Sequence, residues 1–263
     1  MTLLASIALG NEDGTGKAIA PINPVPINPV PDNPAPINPA PINPVPINPV
    51  PDNPVPNNPV PNNPNPSSPQ AIKEAEAEYH RGVDEYNLRN FQAAVTHFNQ
   101  SLAIQSRHLH SWYGRSAALA ELGQYDESLE SINRALAIEE NFPAAWHGRG
   151  TVLNYLQKYE EALDTFDRAL RIMPNYPEAL NGRGNALSYL QKYEEALDSF
   201  DRALAIKPRL VAALNGRANV LYCLQRYEEA IDTFNQVLAI QPNFSPAWEA
   251  RRNAIAKLEN DEG

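Results

Sequence analysis

The stretch PEALNGRGNALSYLQKYEEALDSFDRALAIKPR, residues 177–209, shows how the rest of the chain is organised. Moved 34 residues toward the N-terminus, it aligns with PAAWHGRGTVLNYLQKYEEALDTFDRALRIMPN. Moved 34 residues the other way, it aligns with VAALNGRANVLYCLQRYEEAIDTFNQVLAIQPN. A fixed period of this length is typical of stacked repeats, in which one unit cannot bury its apolar face without neighbours.

The recurring positions combine large, small and aromatic residues at fixed intervals and end on a proline. In the central unit they are Leu180, Gly184, Tyr193, Ala196, Phe200, Ala203 and Pro208. This pattern resembles the tetratricopeptide repeat family. The resemblance implies an all-α fold of helix–turn–helix repeats stacked into a right-handed superhelix. It also implies a concave groove that holds a peptide or a helix of another protein.

Composition divides the 263 residues into three segments. Residues 1–20 are interpreted as a disordered start or the remnant of a signal peptide, because the apolar run at 2–9 lacks preceding basic residues. Residues 21–69 hold 20 of the 26 prolines, mostly in pentapeptides P-x-N-P-x, and are predicted to form a disordered, largely polyproline II linker. Residues 70–263 are predicted to be the repeat domain. Its expected units are repeats 75–108, 109–142, 143–176, 177–210 and 211–244, and a capping helix 245–259.

The net charge of −10 argues against nucleic acid as a partner, because nucleic-acid binding requires a basic surface. No stretch approaches the ~20 apolar residues of a membrane span. The single cysteine, Cys223, excludes an internal disulfide framework. A cytoplasmic location is favoured, and a periplasmic or exported location is the alternative if the natural start lies upstream.

The chain shows no motif for catalysis, for a cofactor or for a metal. Its G-x-G triplets at 148–150 and 182–184 fall inside predicted helices rather than after strands. His80, His110 and His147 have no cysteine or repeated carboxylate beside them to complete a metal site. We therefore expect a non-enzymatic adaptor that binds a protein or peptide. The alternatives are an exported or envelope-associated protein with the proline-rich segment as a spacer, and a regulatory subunit of a separately encoded enzyme.

In the family's geometry, repeat positions 5, 9, 12 and 13 face the groove. The residues expected there are Tyr113, His147, Thr151, Asn154, Tyr155, Asn181, Asn185, Tyr189, Asn215, Asn219 and Tyr222. This surface is neutral, so we expect recognition by amide hydrogen bonds and aromatic packing. The alternative is that these are ordinary solvated residues.

An arginine recurs at repeat position 7 and an aspartate or asparagine at position 25. The arginines are Arg81, Arg115, Arg149, Arg183, Arg217 and Arg251, and their candidate partners are Asn99, Asn133, Asp167, Asp201 and Asn235. Since a half-buried guanidinium needs acceptors, we predict a hydrogen-bonded ladder within or between repeats. A ligand-facing basic row is the alternative. Glycine also recurs at position 6, at Gly114, Gly148, Gly182 and Gly216, where the sequence suggests only close approach of a peptide or a neighbouring helix.

Overall fold

A computed structural model describes residues 68–261, and every regular element in that range is an α-helix. The helices are α1 (Pro69–Asn87), α2 (Phe91–Ile104), α3 (Leu109–Glu121), α4 (Tyr125–Ile138), α5 (Pro143–Tyr155), α6 (Tyr159–Ile172), α7 (Pro177–Tyr189), α8 (Tyr193–Ile206), α9 (Val211–Cys223), α10 (Tyr227–Ile240) and α11 (Ser245–Asp261). The all-α prediction is confirmed. The interpretations of residues 1–20 and of the proline-rich linker up to residue 67 lie outside the described residues.

The helices form five pairs that stack in chain order, and α11 packs on the last pair. Within the fourth pair, α7 and α8 are joined by Leu190–Lys192. Gln191 at the centre of this turn has a φ of +59°, in the left-handed region, and Gly123 occupies the same place in the second pair with a φ of +74°. The last helix runs to Asp261, beyond the expected end at residue 259.

Local signals fix several helix starts. The Ser68 hydroxyl accepts a hydrogen bond from the Ala71 amide at 3.1 Å, and Pro69 takes the first helical position. Acidic residues occupy the first turn of α4, α6, α8 and α10, where the helix dipole favours negative charge. These carboxylates therefore stabilise the helix starts.

The buried phenylalanines at repeat position 24 explain most of the recurring glycines. Phe200 is fully buried between Gly184 of its own repeat and Gly216 of the next. A Cβ atom would lie 2.7 Å from the Phe200 ring at Gly184 and 2.5 Å from it at Gly216. Phe98 and Phe166 are flanked in the same way. At Gly114, Gly182 and Gly216 the position-6 glycine thus admits the ring of the preceding repeat, which is the neighbouring-helix explanation rather than the bound-peptide one.

The predicted arginine ladder is present on the outside of this core. Arg183 Nε donates to Asp167 Oδ1 of the preceding repeat at 2.8 Å, and its Nη1 donates to Ser199 Oγ of its own repeat at 2.7 Å. The same two bonds join Arg115 to Asn99 and Ser131, Arg149 to Asn133 and Thr165, and Arg217 to Asp201 and Thr233. Each rung therefore ties two repeats together, and the position-23 hydroxyl is a partner that the sequence analysis did not anticipate.

The ladder stops at both ends of the stack. Arg81 pairs with Glu78 on its own helix, and Arg251 Nε has no acceptor among residues 68–261. No second helix follows α11 in this range to supply the hydroxyl that each inner arginine uses. Position 7 is therefore a stacking device, and the alternative of a ligand-facing basic row is wrong for the four inner arginines.

Contacts between repeats give the stack a direction of curvature. The first helices of successive repeats touch one another, as α5 touches α7 and α7 touches α9, whereas in the described range successive second helices do not touch. Elements that approach more closely lie on the inside of a bend. The first helices therefore line the inner face of the stack.

Candidate functional site

All eleven residues expected in the groove lie on first helices of repeats, namely α3, α5, α7 and α9. Along α7, Asn181, Asn185 and Tyr189 are spaced by four residues, so they follow one side of the helix. The equivalent spacing on α9 aligns Asn215 with Asn219. The helices thus bring the residues together on the inner face.

Burial divides these eleven residues into two groups. Five are buried: Tyr113, His147, Thr151, Asn181 and Asn215. Five are half-buried, namely Asn154, Tyr155, Asn185, Asn219 and Tyr222, and Tyr189 is exposed with 43% of its surface accessible. Direct contact with a ligand is therefore expected from the second group, which we call the inner-face set: Asn154, Tyr155, Asn185, Tyr189, Asn219 and Tyr222.

Three asparagines of the inner face have an amide oxygen without a hydrogen-bond donor. Asn154 Nδ2 donates to the Gly182 carbonyl at 3.4 Å, but Asn154 Oδ1 has no donor within the described range. Asn181 Oδ1 and Asn185 Oδ1, one turn apart on α7, also lack donors there. A buried acceptor left unpaired costs about 1–3 kcal/mol. A group that brings N–H donors to this face would remove that cost.

Aromatic side chains border the asparagines. The rings of Tyr125 and Tyr155 stack with centroids 5.0 Å apart and planes at 15°, and those of Tyr159 and Tyr189 stack at 4.5 Å and 10°. Burial raises the pKa of Tyr155 and of Tyr189, so both hydroxyls stay neutral. Tyr155 and Tyr189 are thus each held by the first tyrosine of the preceding repeat's second helix.

Tyr222 of the fifth repeat also contacts a tyrosine, but this one belongs to the second helix of its own repeat. Its ring meets that of Tyr227 edge-on, with centroids 5.5 Å apart. Tyr155, Tyr189 and Tyr222 therefore come from three successive first helices, and we call them the tyrosine row. Rings fixed on one side by a neighbouring ring offer their remaining surface to a ligand at small conformational cost.

A buried ionisable cluster lies beside the asparagines. Glu178 is 8% exposed; its Oε1 accepts from Lys207 Nζ at 3.0 Å, and its Oε2 has no donor among residues 68–261. Burial lowers the pKa of the neighbouring His147 to about 4, although the Glu178 carboxylate acts in the opposite direction. His147 is therefore neutral at pH 7. Sequence analysis missed Glu178 because an acidic residue in a first helical turn already has a structural explanation.

Two cavities lie away from the inner-face set. One, of about 620 Å³, is lined by ladder residues including Arg149 and Asp167 together with Trp146. The other, of about 610 Å³, lies along α11 and includes Trp248 and Arg252. Both combine charged side chains with a single tryptophan, and neither contains a predicted site residue.

Two further searches cover the described residues only. Between residues 68 and 261, no three His, Cys, Asp or Glu side chains converge as metal ligands would. No helix in that range has the length and apolar character needed to cross a membrane.

Comparison with known families identifies the repeats. A family profile described as tetratricopeptide repeat matches residues 141–209 and 178–243, and a second profile with the same description matches residues 79–145. An uncharacterised protein, MJ0572 of Methanocaldococcus jannaschii, is 33% identical over 57 residues. That match covers 22% of this chain and 66% of the relative, just under two thirds of its length.

Solved structures share the fold at low sequence identity. YrrB, described as a tetratricopeptide repeat protein with an unusual peptide-binding site, is 21% identical with a TM-score of 0.55, over 70% of this chain and 96% of that one. TTC0263 of Thermus thermophilus is 20% identical with a TM-score of 0.59, over 70% of this chain and 98% of that one. At these identities the likeness concerns the fold alone.

Proposed function

We propose that this chain, which belongs to the tetratricopeptide repeat family, is a non-enzymatic interaction scaffold. In this proposal its inner face holds a peptide or a helix of a partner protein. Proteins with this fold serve in general as interaction scaffolds, which supports the coarse form of the proposal. The observation that carries the finer form is the coincidence of unpaired amide oxygens and tyrosine rings on one face.

The chemistry of the inner face suits a polypeptide ligand. A peptide in an extended conformation, or the end of a helix, presents backbone N–H donors, and rotation of the half-buried Asn154 and Asn185 side chains can turn their unpaired oxygens toward these donors. Its side chains can pack on the tyrosine row, whose rings combine an apolar surface with a polar tip. The peptide-binding site described for YrrB, a protein of the same fold, supports the same interpretation.

The inner-face set also disfavours charged ligands as the main class. Three of its members are asparagines, which carry no charge, and burial raises the pKa of Tyr155 and of Tyr189, so both stay neutral at pH 7. Binding should therefore depend weakly on ionic strength. The buried Glu178 is already neutralised by Lys207.

The test uses the full chain as bait in its native lysate, beside a variant with Asn185, Tyr189 and Asn219 changed to alanine. A matched control changes Asp198 and Arg202, an exposed pair 3.7 Å apart on α8, to alanine. We expect a protein that the wild type and the control retain and the inner-face variant loses. A peptide of that protein, titrated by calorimetry, should bind the inner-face variant at least tenfold more weakly.

Equal retention by all three baits would contradict the inner-face proposal. Loss from the control alone would move the binding surface to the second helices. In each case circular dichroism of the purified variants must match the wild type, so that lost binding reports the surface rather than the fold.

A further inference from the structure

We propose that the ligand of the inner face is in the first instance the chain's own proline-rich segment, residues 21–65, bound within the same molecule. This inference rests on the proposed function, since it uses the same face, and it specifies the ligand class as a proline- and asparagine-rich peptide without basic residues. If the segment binds the inner face, it competes there with any external partner.

The segment carries two chemical groups that can pair with those of the inner face. Its nine P-x-N-P-x units repeat a proline ring and an asparagine side chain, as in PINPV at residues 41–45. Proline has no N–H and packs through its ring, whereas each asparagine amide supplies two N–H donors. The inner face presents tyrosine rings and the half-buried side chains of Asn154 and Asn185, whose amide oxygens have no donor in the described range and can be turned toward a ligand by side-chain rotation. Polyproline II ligands are recognised elsewhere by such aromatic-lined grooves.

The spacing of the two partners also agrees. In a polyproline II helix the two prolines of P-x-x-P lie one turn apart, about 9 Å along the axis. The tyrosine row comes from successive first helices that contact one another, and packed helices lie about 8–10 Å apart. One P-x-x-P pair can therefore place its rings on two neighbouring tyrosines, for example Tyr155 and Tyr189.

Charge neither opposes nor drives this contact. From residue 21 to residue 67 the only ionisable side chains are Asp32 and Asp52, and the inner-face set is neutral. The segment carries no lysine or arginine that could be drawn to the acidic repeats instead. Association should therefore persist at high salt, which separates it from nonspecific electrostatic contact.

The covalent connection favours contact within one molecule. The segment ends three residues before Ser68, the cap of α1, so it is tethered to the stack that carries the site. Its 45 residues reach up to about 140 Å when extended, far beyond the three helices of the tyrosine row. Tethering at this scale gives effective concentrations of up to about 1 mM. A weak intrinsic affinity is therefore sufficient for substantial occupancy.

A spin label on the full chain tests the proposal directly. Cys223→Ser removes the only cysteine, and Ile42→Cys then accepts a nitroxide without changing a proline or an asparagine. We expect paramagnetic broadening of the backbone amides around Asn185, Tyr189 and Asn219, unchanged by dilution and by 0.5 M salt. The second helices should be unaffected.

A variant in the segment keeps the test independent of the repeat fold. Pro41→Ala, Pro44→Ala, Pro46→Ala and Pro49→Ala remove four rings near the label, and the broadening of the inner face should fall at least threefold. The control changes Asp198 and Arg202 to alanine and should leave the broadening intact. Broadening limited to α1 beside Ser68, or unchanged by the proline substitutions, would overturn the proposal.

Mixed samples decide between one molecule and two. When isotope-labelled chains without the nitroxide are mixed with unlabelled chains that carry it, broadening would assign the segment to a second copy and refute the intramolecular form. Failure here is distinct from failure of the proposed function. If the inner-face variant still loses its captured partner while the label reports no contact, the scaffold proposal stands and the self-ligand is wrong.

Discussion

Replacing Arg183 by methionine tests how the ladder couples neighbouring repeats. Methionine keeps an unbranched apolar stem but removes both hydrogen bonds, the 2.8 Å bond from Nε to Asp167 and the 2.7 Å bond from Nη1 to Ser199. The change affects α6, α7 and α8 at once. It leaves the Phe200 core in place, so it isolates the polar contribution to stacking.

The expected loss follows from the exposure of each partner. Asp167 is 37% exposed and can return to water, so its bond should contribute only about 0.2–1 kcal/mol. Ser199 is fully buried; its hydroxyl still donates to the Glu195 carbonyl at 2.9 Å, but it loses a charged donor. That second loss should cost about 1–2 kcal/mol. We expect Arg183→Met to lower the free energy of unfolding by about 2 kcal/mol.

Urea denaturation followed by circular dichroism measures this loss, fitted with a nearest-neighbour model because repeat arrays unfold unit by unit. The matched control is Asp167→Asn, since asparagine fills the same position at Asn99 and Asn133 and bonds the arginine there. It should cost less than about 0.5 kcal/mol. Stability that is preserved or raised in Arg183→Met would refute the reasoning, because an apolar side chain would then stack the repeats equally well.

Three further changes give expected outcomes that stability measurements can check. Gly182→Ala places a Cβ about 2.5 Å from the buried Phe166 ring. It should lower stability by about 1 kcal/mol, because overpacking outweighs the gain in helix propensity. If thermal denaturation shows no loss of stability, the packing explanation is wrong. His147→Asn should abolish a pH dependence of stability. The pKa of His147 is about 4 in the folded state and about 6.5 in the unfolded state, so the unfolded state binds the proton first as the pH falls. The wild type therefore loses up to about 3 kcal/mol of stability relative to the variant between pH 6.5 and pH 4. Parallel pH curves for the two proteins would show that His147 titrates normally. Gln191→Gly should raise stability by about 1 kcal/mol, because the φ of +59° strains a residue with a side chain, and Gly123→Gln should do the reverse in the second repeat.

The repeated features were predictable because the same residue pattern occurs in several repeats of the sequence. The helices, the acidic first turns and the arginine ladder recur with a 34-residue period, and each recurrence tests the previous one. The ladder could be predicted from Arg183 and Asp167 because their charges offset each other in register. The role of Ser199 could not be predicted, because a serine in one repeat and a threonine in the next do not indicate that their hydroxyls accept a hydrogen bond from the arginine.

The inner face was harder to predict because its residues differ from repeat to repeat. Family geometry placed all eleven candidates on first helices, but it did not separate the buried His147 and Asn181 from the exposed Tyr189. Burial there depends on which side chain the next repeat presents, and no single repeat contains that information. Glu178 and the unpaired oxygens emerge only when α5, α7 and α8 are assembled.

Binding of the proline-rich segment to the inner face would lower the apparent affinity of any external partner for that face. If the segment binds the inner face with a dissociation constant of about 0.1 mM against an effective concentration of about 1 mM, the face is free about a tenth of the time. A partner's apparent affinity then falls by the same factor, about tenfold. The proline substitutions at residues 41–49 should therefore tighten binding of the captured partner while leaving its contacts unchanged. An unchanged affinity in calorimetry would mean that the segment and the partner do not share the inner face. When one of two competing ligands binds more weakly, the apparent affinity of the other for the shared site must rise.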